Sequence, residues 1–271
     1  MKNIFQLNDK VAVVTGAGGV ICSTLAKDLA GQGARIALLD LAVGNAQKVA
    51  DEIITAGGEA IALKANVLDL ESLNAAAKTV KERFGRVDIL VNGAGGNHPK
   101  ATTGNGQSFF DLPADALKWV FDLNFVGTVL PTQIFGRMMA DEGEGSVVNI
   151  ASMASYRPLT KTVAYSAAKA AIVNFTEWMS VHFCQEYSAK IRVNAIAPGF
   201  LLTKQNEYLM VDQDKNLTPR GNDVIRKTPM SRFGSPDELS GAVIYLCSEA
   251  ASFVTGIVIP VDGGFNAFAG V

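Results

Sequence analysis

Two side chains in this chain are placed to move a proton. Tyr165 and Lys169 stand four apart in TVAYSAAKAAIVNFTEWMSVHF, a stretch from Thr162 to Phe183 that reads as a helix, so they share one of its faces. A free phenol has a pKa of about 10 and is a poor base at neutral pH. An ammonium about 5 Å away, at an effective dielectric of about 20, favours the phenolate by about 3 kcal/mol, or about 2 pKa units. Ser152 directly follows a predicted strand, thirteen residues before Tyr165, and is expected to point into the same crevice. Asn124 is an isolated polar residue in the apolar helical segment LKWVFDLNFVGT. Each is commonplace alone: a packing pair with a solvated tip, a helix-entry serine, a satisfied buried amide. As an ordered set they are not.

The elements that must position them alternate along the whole chain. Apolar runs at Lys10–Thr15, Arg35–Leu39, Ala60–Lys64, Val87–Val91, Ser146–Ile150, Ile191–Ile196 and Gly256–Pro260 predict seven strands. Helical patterns at Ile21–Gln32, Val43–Ala56 and Leu70–Phe84 separate the first four. Strands that are apolar on both faces and alternate with helices predict a parallel sheet covered on both sides, a doubly wound α/β domain. No linker or repeat divides 1–271. Two long segments leave carboxyl ends of strands, where open α/β sheets bind ligands. They are a substrate loop near 93–113 and a partly helical lid near 198–229. The Thr162–Phe183 helix is apolar or small on most faces, which predicts burial of its outer side against another subunit.

The first strand runs into Gly16-Ala17-Gly18-Gly19-Val20-Ile21-Cys22 before a helix. A glycine-rich turn there lets the backbone approach a pyrophosphate, which the free N–H groups of the helix N-terminus then hold. Asp40, with Leu41 beside it, closes the second strand 24 residues after Gly16. Its carboxylate can accept both adenosine ribose hydroxyls and would repel a 2′-phosphate, which favours NAD(H). Asn66 can meet the adenine edge while Val67 packs on its face. Asn92-Gly93-Ala94-Gly95 ends the fourth strand with room for a cofactor to pass.

With these residues in place, the chain resembles the short-chain dehydrogenase/reductase family over nearly its whole length. TGAGGVIC resembles that family's phosphate loop and NGAG its fourth-strand motif. Asn124, Ser152, Tyr165 and Lys169 match its catalytic tetrad, and Pro198-Gly199 with Thr203 resembles the stretch that holds the nicotinamide. The resemblance implies a single Rossmann-type domain and hydride transfer between NAD(H) and an alcohol or ketone. It implies that Tyr165 is the general acid or base, that Lys169 also holds the nicotinamide ribose, that Ser152 donates to the reacting oxygen, and that Asn124 positions a water between Lys169 and solvent. The chain departs from the pattern at Val20 and Cys22, where the family has glycine, and at Asn66, where it has aspartate.

The loop GGNHPKATT, the segment ASMASYRPLTK and the Val20/Cys22 departure look most like the D-mannonate oxidoreductase branch, which implies a sugar-acid substrate. Such a site needs a cation for the carboxylate and hydrogen-bonding groups for hydroxyls. Arg157 is the preferred carboxylate partner because its fork suits two oxygens; His98, Lys100 and Lys161 are further cations, and Asn97, Thr102 and Ser155 offer polar contacts. Lys204 and Arg220 fall on the lid. A gluconate 5-dehydrogenase-like or 3-oxoacyl reductase of the same mechanism is the alternative, and a non-catalytic NAD(H)-binding protein is the alternative of another class.

Bulk properties narrow the field. With 24 basic against 26 acidic residues and a net charge of −2, the chain lacks the basic surplus that nucleic acid demands. No stretch is apolar and long enough for a bilayer, and the N-terminus has no signal-peptide pattern. Three scattered cysteines and two distant histidines argue against a metal site and for a reducing cytoplasm. The expected molecule is a cytoplasmic homo-oligomer, a tetramer or dimer, acting on a small molecule.

Overall fold

The computed structural model describes residues 3–104, 106–203 and 207–270. In chain order the elements are β1 Val11–Thr15, α1 Val20–Gly31, β2 Arg35–Asp40, α2 Val43–Thr55, β3 Ala60–Lys64, α3 Leu70–Phe84, β4 Ile89–Asn92, α4 Ala114–Phe121, α5 Gly127–Glu142, β5 Gly145–Ile150, α6 Val163–Glu186, β6 Ile191–Pro198, α7 Glu207–Met210, α8 Pro219–Lys227, α9 Ser240–Cys247 and β7 Val258–Val261. The seven strands form one sheet in the order β3-β2-β1-β4-β5-β6-β7, with every neighbouring pair parallel. After β3 the chain crosses from the sheet edge to pair β4 with β1. At that reversal the loops beyond β1 and β4 diverge and open a crevice.

The two-residue period of a strand sorts its side chains between two cores. Ala12 and Val14 pack with Leu25 and Leu29 of α1, Val49 and Ile53 of α2, and Leu246 of α9. Val11 and Val13 face Leu73 and Val80 of α3, Phe135 and Met139 of α5, and Phe183 of α6. Burial on both faces is why these strands are continuously apolar in sequence.

The predicted strands are all present, with shifted edges. β4 starts at Ile89, not Val87, because the Asp88 carboxylate takes the place of a ladder carbonyl: Val11 N donates to Asp88 Oδ2 at 2.9 Å. Asp88 in turn is paired with Arg86 at 2.7 Å and Lys10 at 3.1 Å. β7 starts at Val258, because Gly256 sits at φ +76°, outside strand geometry. Segment 93–113 is a loop with two short 3-10 turns, at Pro99–Ala101 and Phe109–Asp111. It is tied to the chain just before α6 by Thr103 N donating to Lys161 O at 3.0 Å. The segment after β6 carries α7 and α8, so it is partly helical as expected.

Candidate active site

Four strand ends and two helices build the crevice. Beyond β1, Gly16 adopts φ +66°, and a Cβ there would stand 2.8 Å from Ala94 Cα, so β1 and β4 can approach only through glycine. α1 then starts at Val20 with no side-chain cap at Gly19 and no acidic residue in its first turn. α3 contrasts with it, since the Asp69 carboxylate accepts from Glu71 N and Ser72 N at 2.9 and 3.2 Å. The N-terminus of α1 is therefore left with backbone donors and a positive dipole end facing the crevice, which is what a pyrophosphate requires.

Asp40 lies beside this turn. Its Oδ2 accepts from Gly18 N at 2.9 Å and its Oδ1 from Ala42 N at 2.8 Å. Each oxygen keeps a second lone pair for a ribose hydroxyl. The fixed carboxylate, the uncapped helix and the close glycine turn fit a nicotinamide dinucleotide. Val20 and Cys22 do not close the crevice. Cys22 is buried, and its Sγ fills the space that a side chain at position 93 would need. Burial pushes its thiol up to about 12, so it is a neutral packing group near neutral pH. Leu41 is exposed next to Asp40.

Three predicted cofactor residues have contacts of their own within the protein. Asn92 is 2% exposed, and its Nδ2 donates to Thr132 Oγ1 at 3.0 Å and Asn149 Oδ1 at 2.9 Å. Its side chain locks β4 to β5 and α5 and turns away from the crevice. Val67 is buried, with its side chain against Gly127 at the start of α5. Asn66 Oδ1 accepts from Leu68 N at 3.0 Å, and its amino group and the second lone pair of that oxygen remain for a ligand. Gly93 and Ala94 lie at the strand end as expected, both donating to Thr15 Oγ1, at 3.1 and 3.3 Å.

The Ser152–Tyr165–Lys169 group and the dinucleotide cradle share one space. A cleft of about 330 Å³ is lined at one end by Gly16, Gly19, Val20 and Ile21 and at the other by Ser152, Tyr165 and Lys169, with Pro198, Gly199 and Thr203 along its side. Larger hollows exist elsewhere, but this one is lined by the predicted proton-carrying groups. Lys169 is 6% exposed; its Nζ donates to Ile150 O at 2.7 Å and lies 5.7 Å from the Tyr165 ring centre. Burial brings its pKa down to about 8. Ser152 Oγ accepts from Ala154 N at 3.1 Å, which fixes it at the end of β5.

The expected lowering of the Tyr165 pKa is not found in the polypeptide alone. Burial of the phenol raises it, and the hydrogen bond with Ser152 only partly opposes this. The Lys169 ammonium donates to the Ile150 carbonyl and makes no hydrogen bond with the phenol among the described residues, so burial dominates.

Asn124 is held where the helix changes pitch. Between α4 and α5, Asp122–Val126 forms a π turn, a distortion frequent at functional sites. It turns Asn124 toward the loop after β4. Its Nδ2 donates to Gly96 O at 2.6 Å and Val120 O at 2.8 Å, and its Oδ1 accepts from Gly96 N at 3.2 Å. A Cβ on Gly95 would stand 2.6 Å from Asn124 Oδ1 and 3.5 Å from Lys169 Nζ, so both polar groups converge on that glycine.

The predicted substrate contacts divide. Asn97 donates to Thr102 Oγ1 at 3.0 Å. His98 Nδ1 accepts from Lys100 N, and its ring packs edge-on against Trp119 at 5.3 Å. Both belong to the loop's own structure and neither lines the cleft. Ser155 Oγ donates to Lys169 O at 2.8 Å and braces α6, while Lys100 and Lys161 are exposed. Arg157 is not beside Tyr165: its guanidinium donates to Asn266 O at 3.0 Å and lines a neighbouring cavity with Arg220. Lys204 lies outside the described residues. Gly96, Ile150, Ala151 and Leu201 also line the cleft; they are apolar or backbone contributors that residue type alone does not mark.

Comparison with known proteins agrees with this geometry. Residues 16–266 match a family profile described as enoyl-(acyl carrier protein) reductase. The chain is 48% identical to UxuB of Bacillus subtilis, named an uncharacterized oxidoreductase, over 98% of both chains. It is 34% identical to the NAD-dependent glycerol dehydrogenase of Listeria innocua over 97% of this chain and 96% of that one. A crystal structure from Haemophilus influenzae, with bound NAD and named as a candidate D-mannonate oxidoreductase, superposes with a TM-score of 0.93 at 49% identity, covering 98% of each chain. The chain is an oxidoreductase that uses a nicotinamide dinucleotide, and it belongs to the short-chain dehydrogenase/reductase family.

Proposed function

We propose that the protein is an NAD(H)-dependent oxidoreductase that interconverts D-fructuronate and D-mannonate. The observation that carries this reading is the single cleft lined by both the uncapped start of α1 and the Ser152–Tyr165–Lys169 group. The nicotinamide, when bound, supplies or accepts the hydride. Tyr165 gives a proton to the ketone oxygen in reduction and takes it back from the alcohol in oxidation. Ser152 donates a hydrogen bond to that oxygen as charge develops, a contact that is stronger in the transition state than in the ground state. Lys169 holds the nicotinamide ribose hydroxyls, and Asn124 positions the water by which protons leave. The buried Lys169, near pKa 8, suits such a relay because it exchanges protons close to working pH.

NAD(H) is favoured over NADP(H) by the Asp40 carboxylate at the ribose position and by the NAD held in the H. influenzae relative. The sugar-acid assignment rests on the same relative and on the loops GGNHPKATT and ASMASYRPLTK. The segments 93–113 and 198–229 serve as substrate loop and lid. Trp178, Val181 and Tyr187, on or just beyond the outer side of α6, are more than half exposed in the single chain. This surface supports a homo-oligomer built on that helix. The unpaired Cys22 and Cys247, both buried thiols, suit a cytoplasmic setting, and no helix among the described residues is long and apolar enough to cross a membrane.

Steady-state oxidation of NADH with D-fructuronate, in the wild type and in Tyr165→Phe, tests the reading. Turnover that falls at least a hundredfold in the variant, with NADH affinity preserved, is the expected outcome. Turnover of 5-keto-D-gluconate but not of D-fructuronate removes the mannonate assignment, and tight NADH binding with no ketone turned over removes the enzymatic reading.

A further inference from the structure

A second cavity, of about 440 Å³, lies against the lid and shares a wall with the Tyr165 cleft. Gly199 and Leu201 line the cleft, while Phe200 between them lines the cavity. The loop that leaves Ser152 supplies its floor through Arg157. Its size falls in the range of about 300–1,000 Å³ typical of small-ligand sites. Its chemistry is uneven. Arg157, Arg220 and Lys227 reach it from the loop after β5 and from both ends of α8. Asp223 also reaches it, but its carboxylate is bound to Arg226 at 2.8 Å. Arg157 gives one nitrogen to Asn266 O, which leaves most of its donors. Among the described residues, Arg220 and Lys227 have no anionic partner. Phe200 and Phe265 meet edge to face at 5.3 Å and provide an apolar wall. Cations unpaired beside a low-dielectric wall exert a stronger field than the same charges in open water.

We propose that this cavity is a binding site for a small organic carboxylate. Arg220 and Lys227 take the carboxylate oxygens, Arg157 adds a third donor from the catalytic loop, and the aromatic wall takes the carbon skeleton. Two sources share this chemistry: the acid end of the substrate reaching past Phe200, or a separate acid bound beside the cleft. The proposal holds whichever ketone the Tyr165 cleft accepts.

Calorimetric titration of the full-length protein with D-gluconate, and with its neutral counterpart D-glucitol, tests it. D-gluconate is expected to bind saturably and D-glucitol not to bind. In the double variant Arg220→Gln, Lys227→Gln, D-gluconate affinity is expected to fall at least tenfold, since two charge-assisted contacts are lost. Both side chains are exposed and unpaired, so NADH affinity and thermal stability should be those of the wild type. Kinetics then separate the sources. A KM raised at least tenfold for an acidic ketone, with a neutral ketone and kcat unaffected, assigns the carboxylate to the substrate. Unchanged kinetics together with lost D-gluconate binding assign it to a separate ligand. D-gluconate that fails to bind the wild type, or binds the double variant equally well, overturns the proposal. The titration needs no turnover, so a failure of D-fructuronate as substrate is read independently of a failure of this site.

Discussion

Replacing Lys169 by methionine should abolish activity and yet stabilise the protein at neutral pH. The lysine is 6% exposed, and burial lowers its pKa from 10.5 to about 8. At about 1.4 kcal/mol per pKa unit, keeping it charged at pH 7 costs the fold about 3 kcal/mol. Methionine keeps the stem and removes the charge, but loses the 2.7 Å hydrogen bond to Ile150 O, which contributes about 1 kcal/mol. The net gain is about 2 kcal/mol, or about 4–8 °C in Tm for a chain of this size. The pH dependence has a definite sign. Between about 8 and 10.5 the unfolded chain holds the Lys169 proton and the folded protein does not, so wild-type stability rises with pH across that window. The variant lacks this gain, so its advantage is greatest below pH 8 and shrinks as pH approaches 10.5. Thermal unfolding of both proteins from pH 7 to 10 measures the difference, in which the contributions of other titrating groups cancel. A variant less stable at pH 7, or an advantage independent of pH, would refute the burial argument.

Three further outcomes follow from particular contacts. Gly95→Ala puts a methyl 2.6 Å from Asn124 Oδ1, an amide fixed by Gly96 and Val120; overpacking should cost about 1–3 kcal/mol in thermal unfolding, with kcat falling at least tenfold as Asn124 and Lys169 are pushed apart. Asp40→Ala should weaken NADH about 10–100-fold, the loss of hydrogen bonds to a charged acceptor, while leaving NADPH affinity unchanged or improved; fluorescence titration with both reads this. Trp178→Glu puts a charge on the exposed side of α6, and light scattering should then report a smaller assembly than the wild type.

The sequence by itself determined the layered fold and most of the chemistry. Valine- and alanine-rich runs such as VAVVT and RIALLD declare strands buried on both faces, because that burial requires apolar side chains at every position. The four-residue spacing of Tyr165 and Lys169 and the glycines before α1 are equally local signals, set by helix pitch and by backbone freedom near a turn. Tertiary structure decided where side chains aim. Asn92 turned out to clamp strands and Val67 to pack on Gly127, since the direction a residue takes at a strand end depends on which neighbour arrives there. Lys169 donates to the Ile150 carbonyl, an acceptor 19 residues away in the chain that helix spacing does not identify. Arg157 left the catalytic cleft and joined Arg220 and Lys227, cations more than sixty residues distant in the chain. Local pattern fixes which residues can share a face; only the packing of distant segments fixes which charges end up without a partner.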